Sequence, residues 1–188
     1  MILPVVAYGH PVLKKIAEEI TPDYPGLQQL IADMFETMYH TEGVGLAAPQ
    51  INKSIRLFVI DADPFTENYP EAKGFKKVFI NPEIVEVSEE KWTFREGCLS
   101  LPAMNEDVER PAKVTVNYLD ENFVEHEEEF DGICARVFQH EFDHLEGKVY
   151  VDRVAPMRKM MLKNKLRNIS EGNVYVDYKM IFPAKRRR

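Results

Sequence analysis

Gln139-His140-Glu141-Phe142-Asp143-His144 contains the pattern H-E-x-x-H, which acquires a chemical meaning when it lies on a helix. Residues four apart on an α-helix stack one turn above each other, about 6 Å along the axis, so His140 and His144 can grip one metal ion. Glu141 lies about 100° around the helix from His140, where its carboxylate reaches a water at the ion rather than the ion itself. The flanks carry stop signals for such a helix: Asp131 as its N-terminal cap and Gly147 where a C-terminal glycine is expected.

Two histidines and a water leave a tetrahedral site one protein ligand short. Several residues compete for that place. The longer metalloprotease pattern H-E-x-x-H-x-x-G-x-x-H is followed as far as Gly147, but its last position is Tyr150. Glu171 stands downstream in a Ser-Glu-Gly-Asn turn. Cys134 precedes His140 on the same helix and is rotated about 120° from the metal face. Cys98 lies in Arg95-Glu96-Gly97-Cys98-Leu99-Ser100 at the end of a predicted strand, from which a thiolate can approach a helix across a site.

Moving outward, Leu27, Leu30, Ile31, Met34, Phe35 and Met38 recur at helical spacing and predict a helix over 25–41. Short β-type runs follow at 56–61, 77–81, 91–94, 114–119 and 124–130, with Asp63-Pro64 and Asn81-Pro82 read as turns. A basic helix is expected over 156–168 and a final alternating strand over 173–182. Strands clustered between helices give an α+β class, with antiparallel or mixed sheets around a central helix that carries H-E-x-x-H. Neither a repeat nor a linker divides the 188 residues, so one catalytic domain over 1–188 is expected. Apolar residues at 45% and charged residues at 29% fit a globular chain, and the apolar runs are too short to cross a bilayer. With two cysteines and no secretory signal read at the N-terminus, the expected compartment is the reducing cytoplasm.

Charge is unevenly spread. Residues 153–188 hold 11 of the 24 Lys and Arg but only Glu171 and Asp177 as acids, which leaves the rest of the chain strongly acidic. Arg158, Lys159, Lys163, Lys165 and Arg167 crowd one helix, and Lys185-Arg186-Arg187-Arg188 is read as a disordered basic end. The run Glu125-His126-Glu127-Glu128-Glu129 reads as a solvated edge strand. His10, His40 and His126 have no companions at ligand spacing.

Three motifs stand in order: Gly43-Val44-Gly45-Leu46-Ala47-Ala48-Pro49-Gln50, Glu96-Gly97-Cys98-Leu99-Ser100, and His140-Glu141-Phe142-Asp143-His144. Together they resemble the signatures of peptide deformylases, enzymes that remove the formyl group from the initiator methionine of new polypeptides, and the likeness runs from about residue 1 to 156. The resemblance implies Cys98, His140 and His144 as ligands to one Fe²⁺, with Zn²⁺, Ni²⁺ or Co²⁺ as substitutes. It further implies Glu141 as general acid and base, and the Gln50 amide with the Leu99 N–H as donors to the oxyanion. Substrate would be an N-formylmethionyl peptide, extended along Gly43, Val44 and Gly45. Helix arithmetic puts Ile133, Arg136 and Val137 on the His140 face, where with Phe94 they would form the methionine pocket. The resemblance also implies that Glu96 and Arg110 pair to fix the cysteine loop. Two rivals remain: a small metallopeptidase, opposed by Tyr150, and a ribosome- or RNA-binding module, opposed by the intact Glu141 and Gln50. The basic tail is expected to hold the enzyme near ribosomes by attraction to phosphates.

Overall fold

The computed structural model describes residues 1–184; the basic end 185–188 lies outside the described residues. Chain order is β1 Val5–Val6, α1 Leu27–His40, β2 Gly45–Ala47, β3 Leu57–Asp61, β4 Lys76–Val87, β5 Lys91–Cys98, β6 Leu101–Pro111, β7 Lys113–Leu119, β8 Glu125–Asp131, α2 Gly132–Leu145, α3 Pro156–Met161, α4 Lys163–Ser170 and β9 Met180–Ile181. The expected α+β class holds.

An antiparallel sheet in the order β2-β3-β4-β7-β8 forms the middle layer. Its side chains alternate between the two helices that cover it. Leu57 and Val59 of β3 join Leu30, Ile31, Met34 and Met38 of α1 on one face. Phe58 and Ile60 join Phe79, Phe130 and the α2 residues Ile133 and Phe138 on the other. Period-two strands and a period-3.6 helix thus supply matching apolar faces, each large side chain contributing about 1.5–3 kcal/mol when buried. Phe79 sits at the centre, 4.9 Å from the Phe58 ring and 5.1 Å from that of Phe138.

The second layer is the β5–β6 hairpin, whose two-residue connection is Leu99 and Ser100, with Cys98 opposite Leu101. One side of it packs on Tyr150, Val151, Leu162 and Leu166, forming a core of its own. The third pairing joins the chain ends: β1 and β9 run parallel, Val5 beside Met180 and Val6 beside Ile181.

The sequence reading is corrected at four places. Strand β6 has no counterpart among the expected β-type runs. Asn81-Pro82 is not a turn between strands but a bulge inside β4, with Asn81 at φ 48° and the register shifting between Ile80 and Glu83. The basic helix is two helices, α3 and α4, meeting at buried Leu162. Of the strand expected over 173–182, only Met180–Ile181 pairs. The glutamate-rich β8 does lie at the sheet edge, and no helix among the described residues is long and apolar enough to cross a membrane.

Candidate metal centre

Helix α2 begins where expected, with the Asp131 side chain accepting from the Gly132 N–H, and Gly147 follows its end at φ 70°. A side chain at Gly147 would strike the backbone of Lys14, so glycine is required there for contact as well as conformation. The helix carries His140 and His144 one turn apart and aims both at the end of β5. There Cys98 Sγ stands 3.5 Å from His144 Nε2. One ligand atom each from Cys98, His140 and His144 lies within 4.8 Å of the others. Among the three candidates for third ligand, Glu171, Cys134 and Cys98, Cys98 alone meets the histidines. Cys134 is buried in the core, and Tyr150 is turned away, its hydroxyl donating to the Met104 carbonyl while its ring stacks on His140.

Glu96 organises the surroundings. Its Oε2 accepts from Arg110 Nε and Arg136 Nη1, both at 2.7 Å, and its Oε1 accepts from Arg110 Nη2 at 2.9 Å. Oε1 also lies 2.7 Å from His140 Nδ1. All four acceptor directions of the carboxylate are used. With Nδ1 so engaged, the His140 ring presents Nε2 to the site. Arg110 reaches on to Asp143 Oδ2 at 2.8 Å, and Arg153 grips Asp143 from outside at 2.6 Å. The variable residue inside H-E-x-x-H is therefore a structural anchor, and the Glu96–Arg110 pairing expected from the sequence is present.

These contacts set the protonation states. Burial opposes charge on Glu96, yet the His140 and Arg110 hydrogen bonds hold it well below the usual carboxylate range. Burial would push the Cys98 thiol up, but the His144 and His140 rings reverse this and bring it down to about 5. Glu141 has the opposite balance. It is buried, its Oε2 finds no partner among the described residues, and desolvation pushes its pKa up to about 7. One thiolate and two imidazoles in reach of one another suit a divalent transition ion, and the orphaned Glu141 oxygen beside them suits a proton acceptor. The residues fit a catalytic metal.

Gln50 enters from the 3₁₀ turn Ala48–Ile51. Its Oε1 accepts from the Ala47 N–H at 2.9 Å, which directs Nε2 toward Cys98 Sγ at 3.4 Å and Ser100 Oγ at 3.2 Å. Gly45 on β2 packs directly against Glu141, where a methyl group would lie 2.8 Å from the carboxylate carbon.

The sequence model of the polypeptide deformylase family matches residues 2–160. The chain belongs to the peptide deformylase family. A peptide deformylase of Flavobacterium johnsoniae is 51% identical over 191 residues, covering 98% of this chain and 97% of the relative. Among solved structures, a peptide deformylase from Legionella pneumophila is 40% identical with a TM-score of 0.79, covering 92% of this chain and 98% of its own. A Plasmodium falciparum peptide deformylase is 38% identical with a TM-score of 0.80, covering 89% and 95%. The chain is accordingly a metal-dependent hydrolase that removes the N-formyl group of nascent peptides.

The deformylase cleft is a hollow of about 690 Å³ in which the three motifs meet. Gly43, Val44, Gly45, Gln50, Phe94, Cys98, Leu99, Arg136, Val137, His140 and Glu141 all line it. Ile133 does not; it is fully buried among Phe58, Phe79 and Phe138, one turn further from His140 along α2 than the cleft-lining Val137. Arg136 lines the wall as a neutralised group, held by Glu96 and by the Val108 and Trp92 carbonyls and lying over the Trp92 ring at 4.8 Å. Three features of this deformylase escaped the sequence reading. Ser100, the last residue of the cysteine motif, accepts a hydrogen bond from the Gln50 amide. Phe65 joins Phe94 in the wall. The segment 175–178, from the far end of the chain, forms part of the cleft rim, and its only signal was the alternation over 173–182.

Proposed function

We propose that Cys98, His140 and His144 hold one divalent ion, that Glu141 moves the proton, and that Gln50 and Leu99 receive the developing negative charge. The observation that carries this reading is the convergence of a thiol and two imidazoles beside a buried carboxylate with an unpartnered oxygen. The ion would act as a Lewis acid that makes water nucleophilic near neutral pH and polarises the formyl carbonyl. Glu141 takes the proton of the attacking water at its carboxylate and delivers it to the leaving amine nitrogen; a pKa of about 7 suits both transfers. Gln50 Nε2, oriented by the Ala47 N–H, and the Leu99 N–H donate to the oxyanion. Losing such a donor costs about 3–4 kcal/mol of barrier.

The peptide lies extended against β2, which pairs with β3 along one edge only and lines the cleft beside Glu141. Phe94, Arg136 and Val137 receive the methionine side chain, with Ile133 excluded by its burial. Fe²⁺ is the ion used, with Zn²⁺, Ni²⁺ or Co²⁺ as substitutes compatible with the same ligands. Residues 1–188 act as one catalytic domain in the cytoplasm. The basic segment keeps the enzyme near ribosomes through Lys163, Lys165 and Arg167, which are exposed on α4 and form no ion pair among the described residues. Charge reversal at Lys163 and Arg167 is expected to abolish ribosome co-sedimentation at low salt with deformylation intact; unchanged sedimentation contradicts that part.

Glu141→Gln tests the chemical assignment. The variant is expected to bind metal like the parent and to release formate from a formyl-methionyl peptide at least about 10²-fold more slowly. A metal-loaded variant with near-parental turnover removes Glu141 from the reaction.

A further inference from the structure

The cysteine motif ends in the two-residue turn Leu99 and Ser100, and both carbonyls of that turn are held from outside the hairpin. The Ser100 carbonyl accepts from the Tyr8 N–H at 2.8 Å. The Leu99 carbonyl accepts from the Tyr178 hydroxyl, also at 2.8 Å. Tyr8 and Tyr178 come from opposite ends of the chain, and those ends are tied together just beside them. The Val5 N–H donates to Lys179 O at 2.9 Å and the Ala7 N–H to Ile181 O at 2.8 Å, completing the parallel β1–β9 ladder. Gly9 continues the closure: at φ 92° it lies so near Ser170 that a β-carbon there would be 2.9 Å from the serine side chain. The turn is thus gripped on one side by Gln50, through Ser100 Oγ, and on the other by the joined termini.

The opposite face of Leu99 is also confined. A β-carbon at Gly43 would stand 3.1 Å from Leu99 Cδ1, so the residue is fitted between the substrate-side segment and Tyr178. Tyr178 is half-buried at the cleft rim. It lies beyond residue 160, where the match to the family model ends.

We infer that the paired chain ends brace the catalytic hairpin, with Tyr178 as the positioning residue that holds the Leu99 backbone beside the metal ligands. The catalytic part of the inference rests on the reading of Leu99 as an oxyanion donor. An N–H fixed in advance contributes to the barrier without having to reorganise during reaction, and small misplacements are expensive. Tyr178 touches neither substrate nor ion in this scheme; it acts through Leu99.

Tyr178→Phe removes only the hydroxyl and keeps the ring. In the metal-loaded enzyme, hydrogen exchange at the Leu99 amide and steady-state formate release are measured side by side. The expected result is faster exchange at Leu99 and a kcat lowered about tenfold, part of the loss seen when a donor is removed outright. KM, metal content and thermal midpoint should stay near parental values, a pattern that general destabilisation does not give. Unchanged exchange at Leu99 overturns the brace, whatever kcat does. Faster exchange with unchanged kcat keeps the brace and instead removes Leu99 from the oxyanion donors, so failure of the two readings can be told apart.

Discussion

Glu96 and Glu141 face the same metal centre with opposite tasks, and hydrogen-bond donors alone separate them. Glu96 receives two arginines and a histidine, stays ionised and fixes the His140 ring. Glu141 is as deeply buried but has an oxygen without a partner among the described residues, which pushes its pKa up to about 7, as the proposed proton transfer requires. The sign of the resulting pH dependence follows. Stripped of metal, the folded protein holds the Glu141 proton up to about 7, whereas the unfolded chain loses it near an ordinary glutamate pKa of about 4.3. Charging Glu141 in the folded state therefore costs stability as pH rises between those values. Metal-free Glu141→Gln should gain on the metal-free parent in thermal midpoint from pH 5 to pH 8; a pH-independent difference contradicts the assignment. Glu96→Gln should be damaging in another way. It leaves Arg110 and Arg136 buried with one counter-charge fewer, at a cost of about 3–5 kcal/mol. It also frees the His140 ring, lowering metal affinity by about 10–100-fold. Denaturant unfolding and a chelator competition measure both, and parental values in both would show that Glu96 is not the organiser.

At the scale of elements, legibility was greatest where inward side chains are apolar. Strands β3 and β7 and helix α1 announced themselves because Phe58 and Ile60, Val114 and Val116, and Leu30 and Met34 repeat at the right period. Strand β6 did not, because its inward residues are Met104, Glu106, Val108 and Arg110, two of them charged. Their burial is made possible by partners distant in sequence: Arg158 for Glu106, and Glu96 with Asp143 for Arg110. The Asn81-Pro82 pair misled for a local reason. Asparagine tolerates positive φ, and here it sits in a bulge rather than a turn. Its side chain bonds both the N–H and the carbonyl of Ile20, at 3.0 and 2.8 Å. Asn81→Ala, which loses both bonds and strains the backbone, should lower the unfolding free energy by about 1–3 kcal/mol with turnover preserved in the folded protein. A change under about 0.5 kcal/mol, the usual surface value, would mean the bulge is held by the strands alone.

For the whole molecule, three motifs far apart in the chain were enough to find the site, because each brings its own chemistry: a glycine-bearing strand, a thiol and two imidazoles. The supports were illegible because they are contacts between chain ends. Tyr8 and Tyr178 have no pattern that links them in sequence, and only the β1–β9 pairing puts them on one turn. The charge asymmetry likewise has a partly internal use. Arg153, Arg158 and Lys159 are paired with Asp143, Glu106 and Asp152 of the acidic body. Among the described residues of this segment, Lys163, Lys165 and Arg167 on α4 and Lys179 are exposed and form no ion pair.

The central claim is that one ion on Cys98, His140 and His144 drives formyl hydrolysis. Anaerobic titration of metal-free protein with Fe²⁺, followed by formate release from a formyl-methionyl peptide, tests it most directly. Activity should rise linearly and saturate at one ion per chain, and Cys98→Ala should neither retain the ion nor gain activity. A Cys98→Ala protein that holds one ion per chain and turns over like the parent would contradict the account.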